Sequence, residues 1–107
     1  MKKIISILLV GAALTLSGCA SFGAAEIRSE PSGAQVVDAK TGVLLGVTPV
    51  VVTWREDGES RKFVNIRVQK SGYEDKTNSF WVTLRHDSRE KAKKDPQSVK
   101  MTLEKLK

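Results

Sequence analysis

Residues 61–70 alternate between apolar and polar side chains, and this alternation constrains the fold more than any other feature of the chain. Val64, Ile66 and Val68 occupy every second position, which is the period of a β-strand that buries one face. Other short runs, rich in β-branched or aromatic residues, are separated by Gly, Pro and charged turns. They fall at residues 26–30, 34–39, 50–54, 80–84 and 97–106. We therefore predict an all-β fold, a small antiparallel β-sandwich of about six or seven strands.

The run at residues 50–54, Val-Val-Val-Thr-Trp, is the one predicted strand that does not alternate. A continuous apolar run of this length is typical of a strand that is buried on both faces. It also fits a strand at the point where the chain crosses from one sheet to the other. The sequence leaves both interpretations open.

The first 18 residues have a different character from the rest of the chain. A positive start, Met1-Lys2-Lys3, precedes a nearly continuous apolar run at residues 4–16 and then two small residues. This layout is typical of a secretory signal peptide. The apolar run is shorter than the roughly 20 residues that a membrane-spanning helix needs. We predict that residues 1–18 are a signal peptide.

The segment Leu16-Ser17-Gly18-Cys19 closes this leader and resembles the lipobox of bacterial lipoproteins. The resemblance implies that the thiol of Cys19 receives diacylglycerol. Cleavage before Cys19 would then free an amine that accepts a further acyl chain, such as palmitate. One acyl chain binds a membrane marginally and two or more bind it stably, so the predicted first partner is membrane lipid. Cys19 is the only cysteine, and no internal disulfide is expected.

Residues 19–25 are predicted to be a lipidated, flexible tether because the side chains after the cysteine are small. The residue directly after Cys19 is Ala20 rather than Asp. By resemblance to enterobacterial lipoprotein sorting, this implies the outer membrane, on its periplasmic face. The folded β domain is then predicted to cover residues 26–107.

Charge and size limit the function classes that need to be considered. The formal net charge is +6, and it falls to +4 in the 89 residues after the leader because Lys2 and Lys3 are removed without any acidic residue. A chain this short forms one small domain with a modest core and no deep enzyme cleft. A positive surface can attract anionic lipid or glycan. Nucleic acid is not an expected partner of a secreted, tethered chain.

The sequence has few residues of the types that bind metals or act in catalysis. His86 is the only histidine and Cys19 is committed to lipid, so no metal site is predicted. His86, Asp87 and Ser88 are the residue types of a catalytic triad, but adjacency in sequence is not triad geometry. We expect no enzyme and no cofactor beyond the covalent diacylglycerol and N-acyl chain on Cys19. A hydrolase that uses Asp87 or Glu90 is the weakest alternative.

Three motifs together resemble the PEGA domain family. They are Pro31-Ser32-Gly33-Ala34, Gly46-Val47-Thr48-Pro49 and Lys70-Ser71-Gly72-Tyr73, and the resemblance covers about residues 26–106. Ser32 stands where the family's Glu often stands. The resemblance implies a small β-sandwich that acts as an accessory module of envelope and surface proteins, without a catalytic residue set. Residues 86–96 are a charged insertion relative to the family pattern.

This insertion and one tryptophan are the candidate binding residues. The segment is predicted to be a protruding loop with one helical turn near residues 89–92. Trp81 alternates with a Phe80, Val82 and Leu84 face, and both an outward and a core position stay open for it. The insertion either keeps the domain soluble or contacts anionic lipid or glycan near the membrane. The candidate residues are Trp81, Arg85, Arg89, Lys93 and Lys94.

Two functions follow from these observations. The first is a noncatalytic, membrane-anchored envelope lipoprotein that acts as a structural or binding module, with an envelope protein as its partner. The alternative is a lipoprotein that binds cell-wall or surface polysaccharide through Trp81 and the basic insertion. Strand edges of an open sandwich can also pair with another chain.

Overall fold

The computed structural model describes residues 20–107, which form seven strands and one short helix. The signal peptide and lipobox predictions, including Cys19, lie outside the described residues. The strands are β1 (Ala20–Glu30), β2 (Gln35–Asp38), β3 (Leu44–Val47), β4 (Val50–Asp57), β5 (Arg61–Gln69), β6 (Lys76–Thr83) and β7 (Gln97–Thr102), and helix α1 (Arg89–Lys93) precedes β7.

The strands form two sheets that share one core. The three-stranded sheet has the order β4-β1-β7, and the four-stranded sheet has the order β3-β2-β5-β6. Strands β1 and β7 run parallel, whereas all other neighbouring pairs are antiparallel. Strands make up 60% of the described residues and helix 6%, so the predicted all-β fold is confirmed. The parallel pair makes the smaller sheet mixed rather than purely antiparallel.

The core lies between the sheets. Val64, Ile66 and Val68 of β5 are all buried, as their alternation predicts. The main cluster consists of Ala25, Ile27, Ala34, Val36, Val52, Ile66, Val68, Met101 and Leu103. A smaller cluster of Val64, Val82 and Leu84 fills one end, where the rings of Trp54 and Phe80 pack nearly perpendicular to each other with their centroids 6.2 Å apart.

The prediction of a flexible tether at residues 20–25 is wrong. Those residues form the first half of β1, in which Ala20 already pairs with Asp57 of β4. Ala24 and Ala25 are 2% and 0% exposed, although neighbouring residues of a strand point to opposite faces. Ala25 belongs to the core, and Ala24 faces the outer side, where α1 packs against β1 and β4. The small side chains permit close packing rather than flexibility.

The non-alternating run at residues 50–54 is strand β4, but it is not buried on both faces. Val52 is buried, whereas Val51 on the opposite face is 37% exposed. The chain passes from the four-stranded sheet to the three-stranded sheet between β3 and β4, at Thr48 and Pro49. The crossing interpretation is therefore correct, and the double burial is not.

The charged insertion contains the predicted helical turn but does not protrude as a loop. The Ser88 hydroxyl accepts a hydrogen bond from the Lys91 N–H at 3.2 Å and begins α1. Ala92 is fully buried, so the helix is held against the sheet by its small apolar side. Within residues 20–107, no helix has the length and apolar character required to cross a membrane.

Candidate functional site

Trp81 lies on the outward face of the four-stranded sheet, directly opposite Phe63 of the neighbouring strand. The two side chains are 50% and 47% exposed, and their ring centroids are 5.0 Å apart with the rings tilted by 55°. Strand alternation explains the position, because Val82 and Val64 next to them fill the core. Of the two positions left open for Trp81, the outward one is observed.

A third side chain completes this patch. The Arg61 guanidinium carbon lies 4.2 Å from the centroid of the Trp81 ring, within the range of a cation–π interaction. We call Arg61, Phe63 and Trp81 the aromatic surface. One face of the indole is thus covered by arginine, and Phe63 packs beside it. The alternation of β5 identifies Phe63 as an outward residue, but the contact of Arg61 depends on strand register and was not predicted.

The edge of β6 next to Trp81 is covered by a side chain from the other sheet. The Gln97 amide donates to the Trp81 carbonyl oxygen at 3.0 Å and accepts from the Thr83 N–H at 2.7 Å. At the other end of the same edge, Lys76 Nζ donates to the Thr102 carbonyl oxygen at 2.9 Å. These bridges join β6 to β7, so strand addition at this edge would have to displace them.

Arg85 and His86 share a single carboxylate where the insertion begins and ends. The Asp95 Oδ2 atom accepts from Arg85 Nε at 3.2 Å and lies 3.2 Å from His86 Nε2. Hydrogen bonding and the positive charge of Arg85, followed by His86, lower the pKa of Asp95. Arg85 therefore holds the loop closed rather than presenting a free cation.

The remaining cations of the insertion lie on and around α1, and we call Arg89, Lys91, Lys93 and Lys94 the basic helix. The Arg89 side chain donates to the Thr53 hydroxyl at 2.7 Å. Lys91 Nζ is 3.0 Å from the Asp87 carboxylate, and its hydrogen bond and charge lower the pKa of Asp87. Lys93 and Lys94 are exposed and form no ion pair with any residue from 20 to 107.

The candidate residues form two surfaces rather than one. Trp81 is on the outward face of the four-stranded sheet, whereas the basic helix packs on β1 and β4, outside the three-stranded sheet. A single site composed of Trp81 and the basic insertion, as predicted for polysaccharide binding, is therefore not observed.

Two of the motif segments pack against each other and have a structural role. The Thr48 hydroxyl lies 2.6 Å from the buried Ser29 hydroxyl and accepts from the Ala34 N–H at 3.0 Å. Ser29 also donates to the Pro31 carbonyl oxygen at 2.7 Å. The backbone of Thr48 makes further bonds to Gly33 and Ala34. These polar groups satisfy each other inside the fold, so they are not available to a ligand.

The geometry brings together no arrangement of side chains typical of catalysis in the described part of the chain. Ser88 caps α1, Asp87 pairs with Lys91, and His86 turns to Asp95, so the three adjacent residues have separate partners. No group of three or more His, Cys, Asp or Glu residues that could hold a metal ion occurs within residues 20–107.

No family model matches the chain, and no curated protein or solved structure matches it either. The resemblance to the PEGA family stays a prediction from the three motifs. The basis for a proposed function is therefore the predicted leader and the two surfaces.

Proposed function

We propose that this chain is a noncatalytic binding module that is anchored by lipid on Cys19 in the bacterial envelope, on the periplasmic face of the outer membrane. The observation that carries the proposal is the order of a positive start, a short apolar run and Leu16-Ser17-Gly18-Cys19. A thiol at that place accepts diacylglycerol as a thioether. Two or more acyl chains would then keep the domain in its membrane.

The aromatic surface supports a binding role for the anchored domain. Trp and Arg are the residue types enriched at the centres of protein–protein contacts, and here Trp81 and Arg61 are joined by Phe63 on one outward face. Anchoring confines the domain to a thin layer, which raises the effective concentration of a partner in the same membrane or wall. A modest contact area is then sufficient, and an envelope protein is the partner that we propose.

Binding of cell-wall or surface polysaccharide is the second candidate. It is favoured by the exposed rings of Trp81 and Phe63, because sugars bind by stacking on aromatic faces. The guanidinium of Arg61 already lies over the Trp81 ring at 4.2 Å. A sugar would have to displace Arg61 or use the exposed side of Phe63, so we rank this candidate below a protein partner.

Lipidation is tested by growing cells with an alkyne fatty acid and detecting the label on the purified protein. We expect label and membrane association for the wild-type chain and for a Ser21→Ala control. The Cys19→Ser variant should lose both. Equal labelling of the Cys19→Ser variant would refute the anchor.

The partner is tested by photo-crosslinking in cells from a probe at position 81, with Cys19 intact. A single dominant protein adduct supports an envelope protein as the partner. A matched probe at Thr77, on the outward face of the same strand, should not give this adduct. Adducts with glycan alone would favour the second candidate and contradict the first.

A further inference from the structure

The basic helix packs beside the first half of β1, the strand whose first described residue is Ala20. Phe22 and His86 exchange two backbone hydrogen bonds, with N–O distances of 2.8 and 3.1 Å. Phe22 follows Cys19 by three residues, and three residues of chain span at most about 11 Å. The spacing of paired strands adds roughly 5 Å, so the insertion starts within about 16 Å of the predicted lipid attachment point.

Side-chain contacts fix the basic helix against β4 and the first half of β1. Arg89 is bonded to Thr53 of β4, and its guanidinium lies 5.8 Å from the centroid of the Phe22 ring. The buried Ala92 fixes the other side of the helix. Because β1 is already paired at Ala20, no flexible segment of the described chain separates the basic helix from the anchor.

Two neighbouring segments at this end, residues 85–95 and residues 55–62, differ in net charge. Residues 85–95 carry five cations and three carboxylates, and residues 55–62 carry three of each. In the second segment, Glu56 pairs with Lys62 at 2.7 Å and Asp57 with Arg55 at 3.2 Å. The excess positive charge at the anchored end thus comes from the basic helix.

We propose that Lys93 and Lys94, together with Arg89, contact the phosphate groups of anionic lipid headgroups and set the orientation of the anchored domain. This inference rests on the proposed function, because it requires the lipid on Cys19. Basic side chains are attracted to an anionic surface only within about one Debye length, roughly 8 Å at physiological salt. The anchor keeps the basic helix near the membrane, and a tilt of the domain then brings its charges within that range. A polyanionic glycan would have to be recruited separately, so lipid is the favoured occupant.

The test uses the full lipidated protein, reconstituted into vesicles of neutral phosphatidylcholine or of phosphatidylcholine with about 30% phosphatidylglycerol, a content chosen to give a strongly anionic surface. An amine-reactive reagent is applied, and the labelling rate of each lysine is measured by peptide mass spectrometry. We expect Lys93 and Lys94 to react about 5-fold more slowly on the anionic vesicles, and to regain the neutral rate in about 1 M salt, where the Debye length is about 3 Å. Lys105, which follows β7 at the opposite end, should react equally on both.

Matched variants separate the basic helix from net charge. In the wild-type protein, Lys91 of the basic helix should also react more slowly on the anionic vesicles. Lys93→Gln with Lys94→Gln should remove this difference at Lys91. Lys105→Gln with Lys107→Gln lowers the net charge by the same amount at the other end and should leave that difference intact. If both variants lower it equally, only overall charge matters and the proposal is wrong.

Failure of the anchor and failure of this contact give different results. A chain without lipid would not float with neutral vesicles, and that result refutes the proposed function. A chain that floats with both kinds of vesicle but shows equal labelling of Lys93 and Lys94 keeps its anchor and overturns the headgroup contact. If labelling of Lys93 and Lys94 is slowed only when an anionic polysaccharide is added, even on neutral vesicles, the proposed headgroup contact is also overturned.

Discussion

Gly23 of β1 lies directly against the backbone of Thr83 at the end of β6. A methyl group at Gly23 would overlap the Thr83 carbonyl oxygen and lie 2.8 Å from a methyl carbon of Val82. Both approaches are closer than van der Waals contact, and a carbonyl in a paired strand has little freedom to move. The two sheets approach this closely because the residue at this place has no side chain.

Replacing this glycine should therefore destabilise the fold. We expect Gly23→Ala to lower the free energy of unfolding by about 1–3 kcal/mol, the usual range for an overpacked site. Urea denaturation followed by tryptophan fluorescence measures the change. Ser21→Ala on the same strand is the control and should stay within about 0.5 kcal/mol of wild type. If Gly23→Ala has the same free energy of unfolding as the wild type, the two sheets can move apart at this place without loss of stability, and the prediction is wrong.

Thr48 holds the two motif segments together through its hydroxyl. Thr48→Val preserves the shape of the side chain but leaves the Ala34 N–H and the buried Ser29 hydroxyl without this partner. We expect a loss of about 1–3 kcal/mol in the free energy of unfolding, the range for unsatisfied buried polar groups. Thr77→Val, at an exposed position of β6, makes the same chemical change and should have little effect. Equal effects of the two substitutions would argue against the network.

The pairing of Phe63 with Trp81 should be measurable as a coupling energy. In a double-mutant cycle of Phe63→Ala and Trp81→Ala, we expect a coupling of about 0.5–1 kcal/mol, as for other cross-strand aromatic pairs. Thermal or urea denaturation of the four proteins gives the value. A cycle of Phe63→Ala with Thr77→Ala, two outward positions that are not opposite each other, should give a coupling near zero.

Asp38 makes stability depend on pH through the turn between β2 and β3. Its carboxylate accepts backbone N–H bonds from Lys40 at 2.8 Å and Thr41 at 3.1 Å, and the bond from Thr41 is the main cause of its lowered pKa. A lowered pKa in the folded state means that the contribution is fully present above the unfolded value near 3.8 and is lost as the pH falls below it.

The measurement for Asp38 compares urea denaturation at about pH 7 with denaturation at about pH 2.5, below the usual range of carboxyl groups. Asp38→Asn keeps an acceptor in the turn but does not titrate, so the loss of stability on acidification should be smaller than in wild type. The same loss in both proteins would exclude Asp38 as a contributor.

Local sequence patterns predict much of this fold, and the long-range contacts account for what they miss. Alternation identifies the buried face of β5 and, with it, the outward position of Phe63. The turn at Gly72 further indicates that Phe63 and Trp81 lie opposite each other, since each is nine positions from it. The short helix follows from the charged run after Ser88. These features depend on residues close together in the chain or joined by one hairpin.

Strand β1 is where local reasoning fails. Ala20 and Gly23 carry no pattern of strand residues. Their conformation is fixed by pairing with β4 and, at Gly23, by close contact with the end of β6. Gln97 is similar, because an amide in sequence gives no sign that it will bridge two sheets. Tertiary contact overrides local preference at such positions.

The place of β1 in its sheet determines how the domain would respond to mechanical force. It is the central strand, bonded to β4 on one side and to β7 on the other, and its first described residue is already paired. A load applied at Ala20 along the strand axis acts on both ladders in shear, so many hydrogen bonds must yield together rather than one after another. Such a strand is difficult to pull out of its sheet. The time for which the domain stays folded under a constant force is set by its unfolding rate. An anchor at Cys19 would therefore pull on a central strand of the domain rather than peel a strand from the edge of a sheet.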